Sequence, residues 1–285
     1  MAHAIARARM STRLSFGSRL IASLLFALLG ALLAAACATA GAKKPPAGLS
    51  EPDKFLYDHG HDAMAQKKWT LAVEYYRQLV DTYPQSLYRA SAKLGMGDAY
   101  MGQHSAESFV LAGNEYKEFL SFYPTHEYAY YAQFKLAMTH YYQMRAAMRD
   151  QTETREAIAD LETFLDKYPR APLVDEARKR LRDAKDRLDD WDYGVAVQYF
   201  HLRWYPGVVN RLQPLIKNDP EYSNRDGAYF YLAEAFMKIN RPAEALPLYD
   251  RLVKEFERSQ YLDRAKKRIE EIKAAQAAKA KGGLP

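Results

Sequence analysis

The chain has 285 residues, 48% of them hydrophobic and 27% charged, with a single cysteine. That length suits one repeat array or two small domains, and a lone cysteine excludes a framework of intramolecular disulfides. The formal charge of +6 is concentrated at one end. Four arginines and no acidic residue fall in the first 37 positions, which leaves 37 of the 41 basic residues against all 35 acidic ones. A body so near neutrality lacks the concentrated basic face that phosphate-backbone binding needs, so no nucleic-acid partner is expected.

The first element, residues 1–36, reads as an export signal. Arg7, Arg9, Arg13 and Arg19 precede an uncharged run of 17 residues from Leu20, which closes on Ala34-Ala35-Ala36. Cys37 follows, and its setting resembles a bacterial lipobox, in which small residues precede a cysteine that is lipidated after cleavage. The lipobox favours leucine three residues before the cysteine; here Ala34 holds that place and Leu33 stands one earlier. The resemblance implies N-acyl and S-diacylglycerol groups on Cys37, and Ala38 after it implies transfer to the outer membrane. Cleavage near Ala36 without a lipid, or a retained membrane helix, fits the same run, although its length is at the lower edge for spanning. Met10 serves as a start as well as Met1. Residues 37–50, rich in Ala, Gly, Lys and Pro without an apolar period, read as a flexible tether.

From residue 51 onward one ruler recurs five times. Its anchors are Tyr83, Tyr123, Tyr168, Asp219 and Phe256, the first four followed by proline. Nine residues after each anchor stands alanine (Ala92, Ala132, Ala177, Ala228, Ala265), and four further an apolar side chain (Met96, Leu136, Leu181, Leu232, Ile269). Eleven residues before the anchors are Ala72, Ala112, Ala157, Val208 and Ala245; seven before are Tyr76, Tyr116, Leu161, Leu212 and Tyr249. Apolar pairs from Leu79-Val80 to Leu252-Val253 complete the register. Offsets of four, three and four place these side chains on one helix face. The proline after each of the first four anchors ends its helix, because the ring cannot continue the hydrogen-bond ladder.

The spacing therefore predicts an all-α chain of about five helix pairs that resembles a tetratricopeptide-repeat solenoid. Gly97, Ala99 and Tyr100 match that repeat's first-helix signature, and Ala72, Tyr76, Leu79 and Pro84 its second. The anchors lie 40, 45, 51 and 37 residues apart, more than a plain repeat needs. The extra residues of the second interval, in the third repeat, predict a protruding loop over Arg145–Arg155. Those of the next predict a long helix from Leu173 through Leu188 toward Trp204. The domain reading is repeats one to three over 51–172, a connecting helix with repeats four and five over 173–273, and a fraying helix end and flexible tail over 274–285.

There is no glycine-rich phosphate loop, nucleophile elbow or His-Glu-x-x-His. His59 and His61 flank Gly60, but neighbours two apart on a helix point to different sides and cannot share a metal without a third ligand. His140 reads as a core-edge residue. No enzyme, metal or cofactor is expected beyond the lipid on Cys37.

A solenoid without reaction chemistry works through its inner surface, lined by the first helix of each pair. Counting from Gly60, Gly97 and Ala137 gives Tyr57, His61, Asp98, Met101, Tyr131, Phe134, Met138 and Tyr141 as inward positions. That is an aromatic and methionine-rich groove of the kind that grips apolar side chains with tolerance.

Three further stretches carry a more specific resemblance. They are the turn Tyr83-Pro84-Gln85-Ser86-Leu87-Tyr88, the run from Lys179-Arg180-Leu181 through Tyr193-Gly194-Val195-Ala196 to Tyr199-Phe200, and Val208-Val209-Asn210-Arg211. From about Glu51 to Ile272 the chain is similar to the BamD, or ComL-type, family of outer-membrane assembly lipoproteins. The resemblance implies a scaffold anchored to the periplasmic face of the outer membrane. Its N-terminal repeats would take unfolded barrel precursors. Its C-terminal repeats would hold accessory lipoproteins and a BamA-like barrel protein, whose last POTRA domain would meet Arg211 beside Asn210. Asp219 in place of tyrosine, Val208 in place of alanine and Glu257 in place of proline depart from the family pattern. The alternative class is a repeat lipoprotein that coordinates peptidoglycan or division enzymes. Such proteins commonly carry a coiled coil before the repeats, whereas only a short tether precedes Glu51.

Overall fold

In a computed structural model, the backbone of residues 41–282 and side chains through Ala278 are described; the signal run and Cys37 lie outside them. Residues 41–48 belong to a unit separate from the body. They contain no helix and close on a turn where Gly48 takes φ +83°.

The body is a succession of helices, with no strand among its described residues. In chain order they are α1 Pro52–Ala65, α2 Trp69–Thr82, α3 Arg89–Gly102, α4 Ala106–Phe122, α5 Ala129–Tyr141 and α6 Thr152–Lys167. There follow α7 Val174–His201, α8 Tyr205–Asn218, α9 Arg225–Lys238, α10 Pro242–Glu255 and α11 Leu262–Gly282. Each helix packs on the next, and α1 also meets α3, α5 meets α7, and α7 meets α9. Contacts between neighbours and next-but-one neighbours define an α-solenoid of stacked pairs.

The five anchors are the C-cap residues of α2, α4, α6, α8 and α10. In each the backbone N–H still donates to the carbonyl four residues back while φ has moved to between −124° and −131°. The helix ends there, and the proline that follows four of them makes the stop permanent. The ruler's alanines, Ala92, Ala132, Ala177, Ala228 and Ala265, are all fully buried, as are Ala72, Ala112, Ala157, Val208 and Ala245. They are small because two helix backbones meet over them.

The turn inside each pair also repeats. Lys67, His104, Arg203 and Asn240 take positive φ of 52° to 60° just after α1, α3, α7 and α9, the left-handed position that closes a helix C-terminus. The pair α5–α6 departs from this. Its connection is the loop 142–151, shorter than the sequence reading of Arg145–Arg155 because α6 already begins at Thr152. The loop is ordered from its last residue: Gln151, 5% exposed, donates through Nε2 to the carbonyls of Ala146, Ala147 and Arg149, and accepts from Thr154.

The extra residues before the fourth anchor build α7, 28 residues and about 42 Å long. Its first half packs on α6 and reaches α5. The α8–α9 turn lies beside its middle, where Ser223 donates to Asp186, and Tyr222 and Asn224 donate to Asp190. Its second half pairs with α8 and approaches α9, where a Cβ on Gly227 would sit 2.5 Å from the Tyr193 hydroxyl. One continuous helix thus serves two sets of repeats, offset along its length.

The last helix continues through the segment that reads as a tail, to Gly282. It is joined to repeat five by Glu234, whose side chain is 5% exposed and lies 2.7 Å from Arg268 Nε, with Tyr249 donating at 2.6 Å. Burial opposes the charge on Glu234, but the hydrogen bonds from Arg268 and Tyr249 outweigh it and hold its pKa below the ordinary value.

Candidate functional site

The first three repeats open a cleft of about 440 Å³ on the face formed by α1, α3 and the start of α5. Tyr57 and His61 stand on α1 one turn apart, so both project to the same side. Asp98 lies on α3, and Tyr128, Tyr130 and Tyr131 lead into α5. Tyr57 packs on Tyr88 at a centroid distance of 5.0 Å and on Tyr76 at 6.1 Å, so the wall is built largely of phenol rings. At its base Asp98 accepts from Tyr116 at 2.7 Å and from Tyr131 at 2.9 Å. Burial, then the charge of Asp98 and its hydrogen bond, push both tyrosine pKa values well up, so these hydroxyls remain donors. Lys135 Nζ lies 3.4 Å from Asp98 and 5.5 Å from the Tyr131 ring centroid.

Of the eight inward positions read from the sequence, Tyr57, His61, Asp98 and Tyr131 line this cleft together. Met101, Phe134 and Met138 do not. They are 6%, 8% and 3% exposed and pack between helices, Phe134 against Phe164 of α6 at 5.7 Å. Tyr141 is closed off as well: it donates to Asp183 of α7 and sits under the Arg180 guanidinium at 5.0 Å. For Tyr141 the physical reason is α7, whose Asp183 and Arg180 hold it, whereas Phe134 is turned toward α6. Met64, Leu94, Tyr128 and Tyr130 line the cleft and were not singled out from the sequence. Tyr128 had a signal, since it stands five residues after its anchor, where Tyr88 stands after the first.

Arg211 lies on α8 and Asn210 beside it is exposed. Arg211 is not a loose side chain. Its Nη1 donates to Asp192 at 2.7 Å and its guanidinium lies 4.8 Å from the Trp191 ring centroid. Trp204, half exposed, packs edge-on against Tyr199 at 4.5 Å, and Leu202 is 76% exposed. Trp204 stands at the elbow between α7 and α8, and Trp191, ten residues before the end of α7, lies under Arg211. That pair of tryptophans was the sequence-level pointer to a wider face around Arg211.

Asp219, the odd anchor, is explained by its contacts. It binds Arg182 through both carboxylate oxygens, at 3.0 and 2.5 Å, and accepts from the Glu221 N–H. Its side chain thus caps the turn and ties it to α7, which tyrosine could not do. His59 Nδ1 donates to the Phe55 carbonyl at 2.9 Å while His61 is exposed, and His140 Nδ1 lies 2.7 Å from Glu153. Among the described residues no group of His, Cys, Asp and Glu is placed to hold a metal ion, and no helix is long and apolar enough to cross a membrane.

Residues 50–246 match the YfiO family, described as outer membrane lipoprotein. The chain belongs to that family. Among its relatives is the outer membrane protein assembly factor BamD of Caulobacter vibrioides, 29% identical over 206 residues. That match covers 72% of this chain and 66% of the relative, so the chain spans just under two thirds of the relative's length. BamD of Vibrio cholerae is 27% identical over 180 residues, covering 60% of this chain and 73% of that one. Of solved structures, the TPR2AB domain of yeast Sti1 in complex with pHSP90 covers 80% of this chain and 86% of its own, at 14% identity and a TM-score of 0.43.

Proposed function

We propose that this protein is a non-enzymatic scaffold of outer-membrane β-barrel assembly, held at the periplasmic face of the outer membrane by lipid on Cys37. The observation that carries the proposal is the family match over residues 50–246, joined to relatives named as outer membrane protein assembly factors. The N-terminal cleft receives an extended segment of an unfolded barrel precursor against the tyrosine wall of Tyr57, Tyr128 and Tyr131. The C-terminal repeats hold a BamA-like barrel protein through a POTRA domain, with accessory lipoproteins beside it. Arg211, held by Asp192 and Trp191, offers its remaining guanidinium donors to a partner carboxylate, and the exposed Trp204 and Leu202 ahead of α8 offer apolar anchors. Arginine and tryptophan at the centre of a face are the residue types that dominate binding energy.

The test is affinity capture of the full chain from solubilised outer membranes. Recovery of a BamA-like barrel protein with the wild type, lost with Arg211→Glu at unchanged helical content, is the expected result. Recovery of cell-wall enzymes in its place would favour the coordinator reading. Unchanged recovery with Arg211→Glu would remove that residue from the interface.

A further inference from the structure

The N-terminal cleft has a chemical bias that its reading as a peptide site leaves open, and the inference below rests on that reading. Its walls are phenol faces, whose quadrupoles are negative above the ring. Its base is a carboxylate, Asp98, and among the side chains lining the cleft none carries a permanent positive charge. We propose that the cleft selects a cationic side chain, an arginine or lysine of the bound segment, laid over the tyrosine rings toward Asp98, and does not select a terminal carboxylate.

The chain already contains a stand-in for that ligand. Lys135 extends its ammonium to 5.5 Å from the Tyr131 ring centroid and 3.4 Å from Asp98 Oδ1. An aromatic face with a carboxylate behind it is thus occupied by a cation in the unbound protein. Lys135 keeps a quarter of its side-chain surface in solvent, so it can swing out when a better cation arrives. A guanidinium is the better cation: it is planar, more weakly hydrated than an ammonium, and stacks on rings. Asp98 accepts from the Tyr116 and Tyr131 hydroxyls, which fix the carboxylate in place without cancelling its charge. An incoming carboxylate would meet Asp98 head-on, and the nearest ammonium, on Lys135, is already committed to Asp98.

The experiment measures fluorescence anisotropy of labelled ten-residue peptides, alternating aromatic and small residues, with the full lipidated chain in detergent micelles. One set carries a central arginine, a second glutamine and a third glutamate at that place, each made as C-terminal amide and free acid. Replacing arginine by glutamine is expected to weaken binding about 5- to 30-fold, the range that a desolvated cation–π contact of about 1–2 kcal/mol converts to. Asp98→Asn, whose amide oxygen still accepts from Tyr116 and Tyr131, is expected to shrink that ratio toward one. Lys135→Met is expected to tighten the arginine peptide severalfold and leave the glutamine peptide unchanged. Equal binding of the arginine and glutamine peptides overturns the inference and leaves the peptide site standing. A free-acid preference insensitive to Asp98→Asn overturns it likewise. Binding of none of the peptides overturns both the inference and the reading of the cleft.

Discussion

Tyr76 is the place where the packing of the first two repeats can be tested by the atom. Its ring, 3% exposed, lies between Gly60 of α1 and Gly95 of α3. A Cβ on Gly60 would sit 2.5 Å from Cε1, and one on Gly95 would sit 2.5 Å from Cε2. The two glycines therefore hold opposite edges of one ring. A methyl at either position overpacks, at about 1–3 kcal/mol, while alanine's higher helix propensity returns about 1 kcal/mol. Each single substitution nets a destabilisation of about 0–2 kcal/mol by those two figures, since the ring can slide toward the remaining glycine. In the double variant Gly60→Ala with Gly95→Ala that escape is closed. Its loss should exceed the sum of the singles by a coupling of about 0.5–3 kcal/mol. Urea unfolding followed by circular dichroism at constant m-value measures all three. A gain of about 1 kcal/mol in either single, as propensity alone would give, or strict additivity in the double, would refute the reasoning.

Four further outcomes rest on the same structure. Arg268→Met leaves Glu234 buried with Tyr249 as its main partner and should lower stability by about 3–5 kcal/mol, with Glu234→Met on top restoring much of it in urea unfolding. Burial and the neighbouring Asp219 raise Asp189 from 3.8 to about 7, so between those values the folded chain holds a proton that the unfolded chain has released. Stability should fall as pH rises through that window, and thermal scans should show Asp189→Asn flattening the fall. Asp219 works in the opposite sense: burial opposes its charge, but Arg182 and Asp189 hold it at about 2, so its contribution is present above 3.8 and lost toward pH 2. Trp204→Ala should reduce capture of the barrel partner and, through the lost ring pair with Tyr199, lower stability by about 0.5–1.5 kcal/mol in the same unfolding assay.

The fold was legible because its determinants are local and periodic. Ala72, Tyr76, Leu79 and the anchor Tyr83 lie on one helix, so their spacing alone states which face is buried and where the helix stops. The length of α7 was legible for the same reason, from Leu181 and Leu188 at helical spacing among charges. The order within the loop 142–151 was not legible, because it comes from one buried amide, Gln151, which leaves no periodic trace. The groove was half legible. Position relative to Gly60 and Gly97 located Tyr57, His61 and Asp98, but no spacing within the third repeat reports that Phe134 packs on α6 or that Asp183 and Arg180 of α7 hold Tyr141. Nor does it report that Asp192 and Trp191, some twenty residues away, hold Arg211 in place.

The central claim is that one scaffold presents two separate surfaces, a cleft for unfolded chains and an elbow for the assembly partner. In-cell photo-cross-linking, with the probe placed at Tyr128 in one strain and at Asn210 in another, tests it most directly. The account predicts unfolded barrel precursors attached at position 128 and a BamA-like barrel protein attached at position 210. Cell-wall enzymes at either position, or the same partner at both, would contradict it.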